Sequence, residues 1–157
     1  MGIAMFYQLQ HSGLEETLRM LLGRAVQQNW RVMIRATDTE LLRRLDDRLW
    51  TDPADSFLAH GVEGGTHDAD QPILLGTGPI LNAAQGLFLV GGAETTPTEA
   101  AELERVWVLF DGNDADNLGQ ARGLWLKLTG AGLAAQYWSE DGGRWEKKAE
   151  KLAKSDA

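Results

Sequence analysis

The sequence predicts an α/β fold: a single three-layer α/β/α domain built on a largely parallel sheet. Three observations carry that expectation. Short apolar runs alternate with segments of helical period, the pattern of strands linked by crossover helices. Two of the runs, Ile73–Leu75 and Gly86–Val90, are bounded by glycine and are apolar throughout, as strands covered on both faces are. No linker, repeat or low-complexity block interrupts the 157 residues. A chain of this size buries about 68–70% of its unfolded surface and folds without a covalent or metal staple. Cysteine is absent, which excludes disulfides, thiolate nucleophiles and cysteine-ligated zinc.

The elements follow in order. Ala4–Leu9 is a first strand, and Leu14, Leu18, Leu21, Leu22, Ala25 and Val26 then form one apolar helical stripe. Arg31–Ala36 is a second strand with a β-branched, apolar centre. Thr37 and Glu40 have the spacing of a capping box, ahead of a helix whose inner face is Leu41, Leu42, Leu45 and Leu49. From Asp52 to Gln71 the residues Pro, Gly, His and Asp recur without period, so this stretch is expected to be loop. Ile73–Leu75 and Gly86–Val90 read as short buried strands. Thr96 caps a short helix with Pro97 in its first turn, where a missing N–H is harmless. Arg105–Phe110 is the clearest strand, followed by a helix to about Thr129 that Gly130 and Gly132 end. Ala134–Ser139 is a last strand, and Trp145–Lys154 is expected as a charged helix or frayed tail. The expected division is therefore a domain at 1–140 and a charged C-terminal segment at 141–157.

The formal charge of −8 argues against holding nucleic acid directly through its phosphates. Its distribution is uneven. Residues 51–121 carry one base and twelve acids, whereas residues 122–157 carry seven bases and five acids. An anionic partner is therefore expected at the C-terminal segment. No basic flank with a long apolar run opens the chain and no run of about 18 apolar residues occurs, so a cytoplasmic protein without a membrane contact is expected.

The motifs for catalysis fail one by one. A phosphate loop needs glycines to expose backbone N–H groups and a lysine to reach the outer phosphates. The nearest match, Gly76-Thr77-Gly78-Pro79-Ile80-Leu81, lacks the third glycine, and Pro79 withholds an N–H. His60 and His67 with Asp68 and Asp70 contain metal-ligating types, but their spacing fits no helical pair and a solvated loop explains them better. The serines lack a nucleophile elbow. Asp46-Asp47 and Glu15-Glu16 suit a solvated helix face, and no low-dielectric pocket is visible for acid–base work. No catalytic residue, cofactor or metal is expected; a small-ligand or metal-dependent enzyme using the His60–Asp70 loop is the alternative.

Two constellations suit protein contact instead. Trp50 closes a helix just before Pro53, and Phe57 follows seven residues on; large aromatics at such a junction bury against a partner or cap their own core. Arg122, Trp125 and Leu126 are related by i+3 and i+4 and share a helix face, with Lys127 one position round. A guanidinium beside an aromatic surface suits a peptide bringing a carboxylate and an apolar side chain. A tryptophan packed inward, with Arg122 and Lys127 favoured near the helix end by its dipole, is the competing explanation.

The sequence resembles the chi subunit family of bacterial DNA polymerase III. The resemblance runs through Phe6-Tyr7-Gln8-Leu9, Arg31–Ile34 and the segment from Leu45 to His60 with its Leu-Trp, Pro, Ser-Phe and His. It continues through Gln71-Pro72-Ile73, Asn82 and the strand–helix segment to Arg122 and Trp125. It implies a Rossmann-like fold without a phosphate-binding loop and a non-catalytic role in the clamp loader. It further implies two partners: a psi subunit, or a competing helicase, at Trp50 and Phe57, and the acidic C-terminal tail of single-stranded DNA-binding protein. For the tail it implies Arg122 and Trp125, with Phe110 and Lys127 as further candidates. DNA would then be reached only indirectly. Where familiar members carry a lysine straight after that aromatic, this chain has Leu126, and Lys127 sits about 100° further round the helix. The basic run Lys147, Lys148, Lys151 and Lys154 has no counterpart in those members and adds attraction for an acidic tail.

Overall fold

The computed structural model describes residues 2–51, 60–140 and 142–153. Strand β1 (Ile3–Leu9) leads into helix α1 (Leu14–Gln27), followed by β2 (Val32–Arg35) and α2 (Thr39–Thr51). Next come β3 (Gly61–Val62), a 3-10 turn at Asp68–Asp70, β4 (Ile73–Gly76), β5 (Gly86–Leu89) and the short helix α3 (Pro97–Ala101). The chain ends with β6 (Arg105–Asp111), α4 (Ala115–Gly130), β7 (Ala134–Ser139) and β8 (Glu146–Lys151).

The strands form one eight-stranded sheet in the order β3-β4-β2-β5-β6-β1-β7-β8. All neighbours are parallel except β7 and β8, which run antiparallel. Parallel strands need helical crossovers, and these cover both faces with core. On one side Tyr7, Leu9, Ile34, Phe88 and Trp107 pack against α1 and α2 through Leu18, Leu22, Leu42 and Leu45. On the other, Phe6, Met33, Leu87, Val108 and Phe110 pack against α3 and α4 through Ala100, Ala121, Leu124 and Leu128. This is the three-layer α/β/α architecture that the sequence predicts, and it explains why the central strands read as unbroken apolar runs.

Three local expectations need correction. The segment expected as a charged helix or frayed tail contains β8, which pairs with the outer edge of β7. Its residues are good helix formers, yet the open edge of β7 offers backbone hydrogen bonds that a local helix leaves unmade. Trp145, packed edge-on to Tyr7 at 5.3 Å, anchors the strand. The lysines of β8 then lie at the sheet margin, where charge discourages further strand addition. Second, the loop expected from Asp52 to Gln71 includes β3, which extends the sheet beside β4. Third, the cap of α2 is Asp38 rather than Thr37: the Asp38 carboxylate accepts the Glu40 N–H at 2.9 Å, whereas the Thr37 hydroxyl donates to the Gly91 carbonyl. Thr96 caps α3 as expected, accepting the Glu99 N–H.

One charged pair sits inside the fold. Arg35, at the end of β2, is 9% exposed. Its guanidinium grips both Glu99 oxygens at 2.7 and 2.9 Å and donates to the carbonyls of Gly78 and Glu94. The hydrogen bonds from Arg35 hold the Glu99 carboxyl below its usual range against the opposing effect of burial. Removing one partner of such a pair strands the other charge. Glu99→Ala is expected to lower unfolding free energy by about 2–3 kcal/mol in urea titrations, and Glu99→Gln by less, because the amide still accepts one bond.

Candidate functional site

The crossovers from β1 and β6 leave on opposite faces of the sheet, and these two strands are neighbours. The crevice beyond their C-terminal ends is the topological switch point, where open α/β sheets place ligands. Here the loop after β1 would present its backbone N–H groups to a phosphate. That position is already filled. The N–H groups of Gln10, His11 and Ser12 all donate to Glu140 Oε1 at 3.0, 2.8 and 2.7 Å, and the Ser12 hydroxyl donates to Oε2 at 2.8 Å. Burial opposes the charge on Glu140, but these hydrogen bonds prevail and bring its pKa down to about 2.

A second loop is closed in the same way. Glu63 accepts the N–H and hydroxyl of Thr77 at 3.1 and 3.0 Å. A side chain at Gly76 would place its Cβ 2.2 Å from the Glu63 Oε1, so the glycine there makes room for a carboxylate rather than for a phosphate. At the switch point, Leu9, Leu14, Leu41 and Leu109 line a largely apolar crevice, and its Arg44 lies 3.4 Å from Glu15. The chain's own carboxylates thus occupy the loop after β1 and the loop after β4.

The His60–Asp70 loop does not converge on a metal centre. His60 is buried with its Nε2 3.0 Å from the Asp46 carboxylate. His67 is 77% exposed and lies 3.9 Å from Asp70. The Asp68 carboxylate instead accepts the N–H groups of Gly64 and Gly65. Among the described residues no three His, Asp or Glu side chains gather to hold a metal ion.

Helix α4 carries the remaining candidates. Asp114 caps it by accepting the Asp116 and Asn117 N–H groups, which sets its entry angle over β6 and β7. Ala121, Leu124 and Leu128 face the sheet. Trp125 lies on the flank of that stripe and is half-buried. Its ring meets Phe6 edge-on at 5.3 Å and Tyr137 at 6.0 Å. Arg122 is exposed and pairs with no carboxylate among the described residues. Leu126 is 65% exposed and, four positions on from Arg122, stands on the same flank. Lys127 is exposed too. At 100° per residue, however, it lies some 160° round the helix from Trp125 and outside the group.

The structure therefore brings Arg122, Trp125 and Leu126 together and leaves Lys127 apart. Phe110 is 7% exposed; it lies beneath the group, 5.9 Å from the Tyr137 ring. Tyr137 is the member that sequence reasoning missed. Its hydroxyl donates to Gln8 Oε1. Burial raises its pKa, and the charge of Arg122 holds back part of that rise, so the two groups share one electrostatic environment. No local pattern marks Tyr137; it joins the site because parallel pairing sets it beside Phe6. Trp50 falls in the last turn of α2, with its side chain outside the described residues, and Phe57 lies outside them altogether.

A single largely parallel α/β sheet fits the fold that the resemblance in the sequence implies. The family model for the DNA polymerase III chi subunit, HolC, matches residues 1–136. The chain belongs to the chi family. Chi proteins are accessory subunits of a DNA polymerase complex, so membership places this protein in DNA replication, acting with protein partners. The comparison with curated proteins yields no match. The family match ends within β7, so Tyr137, Glu140 and β8 lie beyond the matched span. No described helix is long and apolar enough to cross a membrane.

The Glu140 contacts generate a pH dependence of defined sign. The folded carboxyl titrates at about 2 against an ordinary value of 4.5. Its contribution is therefore present above pH 4.5 and lost as the pH falls from there towards 2. Glu140→Gln is expected to cost about 1–3 kcal/mol at neutral pH and to flatten that part of the acid profile. Chemical denaturation at stepped pH checks both.

Proposed function

We propose that this chi-family protein is a non-catalytic cytoplasmic adaptor that joins the clamp loader to single-stranded DNA-binding protein. The flank of α4 takes the acidic C-terminal tail of that protein, and the Trp50/Phe57 surface takes a psi subunit or a competing helicase. The observation that carries the tail assignment is that Arg122, exposed and without an ion-pair partner among the described residues, stands with the half-buried Trp125 on one flank of α4. A peptide ending in an apolar residue and a free carboxylate needs both parts of such a site.

In this reading Arg122 receives the terminal carboxylate in a charge-assisted pair. Trp125, backed by Phe6 and Tyr137, forms an apolar wall for the tail's hydrophobic end. Leu126 extends that wall, and Phe110 supports Tyr137 from below. Lys127 contributes only through long-range attraction, as do the lysines of β8.

Titration with a synthetic acidic tail peptide tests the assignment. Arg122→Ala is expected to weaken binding about 10–100-fold, the range for losing a charge-assisted contact at an interface centre. Lys127→Ala is expected to change it less than about threefold. Affinity is expected to fall as salt rises. Full affinity in Arg122→Ala would remove the site, and no binding by the wild-type protein would remove the tail as ligand.

A further inference from the structure

A second candidate site lies on the face of the sheet opposite α4. The last turn of α1 stands over the start of β6 there and leaves a cavity of about 330 Å³ between Tyr7, Arg24, Gln27, Trp30, Arg105 and Trp107. That volume falls at the lower end of small-ligand sites, about 300–1,000 Å³. Each wall contributes an arginine, and no described carboxylate lines the space. The placement is pointed in an acidic chain: Arg105 is the single base between residues 51 and 121.

Neither arginine forms an ion pair among the described residues. The Arg105 guanidinium stands over Trp30 and Trp107, 5.4 and 5.9 Å from their ring centres. Those faces stabilise its charge and orient it but offer no hydrogen-bond acceptor. Its Nε is buried and makes no hydrogen bond among the described residues. A buried donor in that state calls for a partner. Both arginines also act on the Tyr7 hydroxyl, offsetting part of the pKa rise caused by its burial. Two cations from separate elements, Arg24 on α1 and Arg105 on β6, thus line one cavity together with the Tyr7 side chain. Trp107 is committed to the core by stacking on Phe88 at 4.1 Å, whereas Trp30 is only half-buried and borders the cavity.

We propose that this cavity binds a small ligand joining a phosphate group to a planar ring, a nucleoside monophosphate being the simplest. The guanidinium forks of Arg24 and Arg105 match the oxygens of one phosphate. Trp30 supplies an aromatic surface for the ring. Two arginines in a space this small suit one anionic group. An extended nucleic acid would meet the net charge of −8 beyond it.

Calorimetric titration of the full chain with adenosine monophosphate, adenosine and inorganic phosphate tests this, with tryptophan fluorescence as a parallel readout. Adenosine monophosphate is expected to bind once per chain, more tightly than adenosine or phosphate, and to alter the emission. Arg24→Gln, on the exposed side of α1, and Arg105→Met are each expected to weaken it at least tenfold. Arg105→Met also removes packing from Trp30 and Trp107, so thermal melts accompany both variants, and Arg24→Gln decides if Arg105→Met unfolds. Unchanged affinity for the acidic tail peptide in Arg24→Gln separates this cavity from the α4 face. No response to adenosine monophosphate, or full affinity in Arg24→Gln, overturns the site. Phosphate binding as tightly as adenosine monophosphate overturns the nucleotide assignment.

Discussion

The carboxylate of Glu140 is the contact around which the crest of this sheet is organised. It stands just past β7 and closes the turn between β1 and α1 with four hydrogen bonds. Two further contacts lie beside it: the Tyr137 hydroxyl on Gln8 and the Ser139 hydroxyl on Gln10. Together these tie the end of β1 to the end of its neighbour β7 across 128 to 130 residues of chain. The N-terminus of α1 begins at Gly13, without a side-chain cap of its own, and Glu140 provides negative charge close to the helix's positive end. The same tie fixes Tyr137 under Trp125, so the floor of the α4 face depends on it.

A scaffold shaped like a nucleotide binder has in this way had its usual ligand positions occupied from within. Glu140 fills the loop after β1 and Glu63 the loop after β4. An internal carboxylate is always present and needs no loading, which suits an accessory subunit whose work is contact with other proteins. In the proposed reading, recognition shifts from the crest of the sheet to the outer flank of α4. A helix flank presents a guanidinium and an aromatic ring side by side, which a loop of backbone N–H groups does not.

The placement of charge follows the same logic. The twelve acids of residues 51–121 include Glu63 and Glu99, which have structural partners in Thr77 and Arg35, and Asp114, which caps α4. Part of the acidity is thus used internally. Arg122, by contrast, has no ion-pair partner among the described residues, and β8 displays its lysines at the sheet margin. The net charge describes the whole chain and says little about any one face. An acidic protein can therefore present a cationic contact.

What the sequence determined by itself was whatever depends on neighbours along the chain. Apolar period placed α1 and α2, Gly130 and Gly132 marked the end of α4, unbroken apolar runs placed the buried strands, and Thr96 with Pro97 marked the start of α3. The spacing of Arg122, Trp125 and Leu126 put them on one helix face, because helical geometry is local. Tertiary structure decided the rest. The order of the strands is set by pairing between distant segments, and the pairing of Phe6 with Tyr137 and the reach of Glu140 to Ser12 join residues 128 or more positions apart, which no local pattern encodes. β8 has the local character of a helix or tail for the same reason. Its residues favour a helix when isolated, and only the open edge of β7 makes a strand the better way to satisfy their backbone.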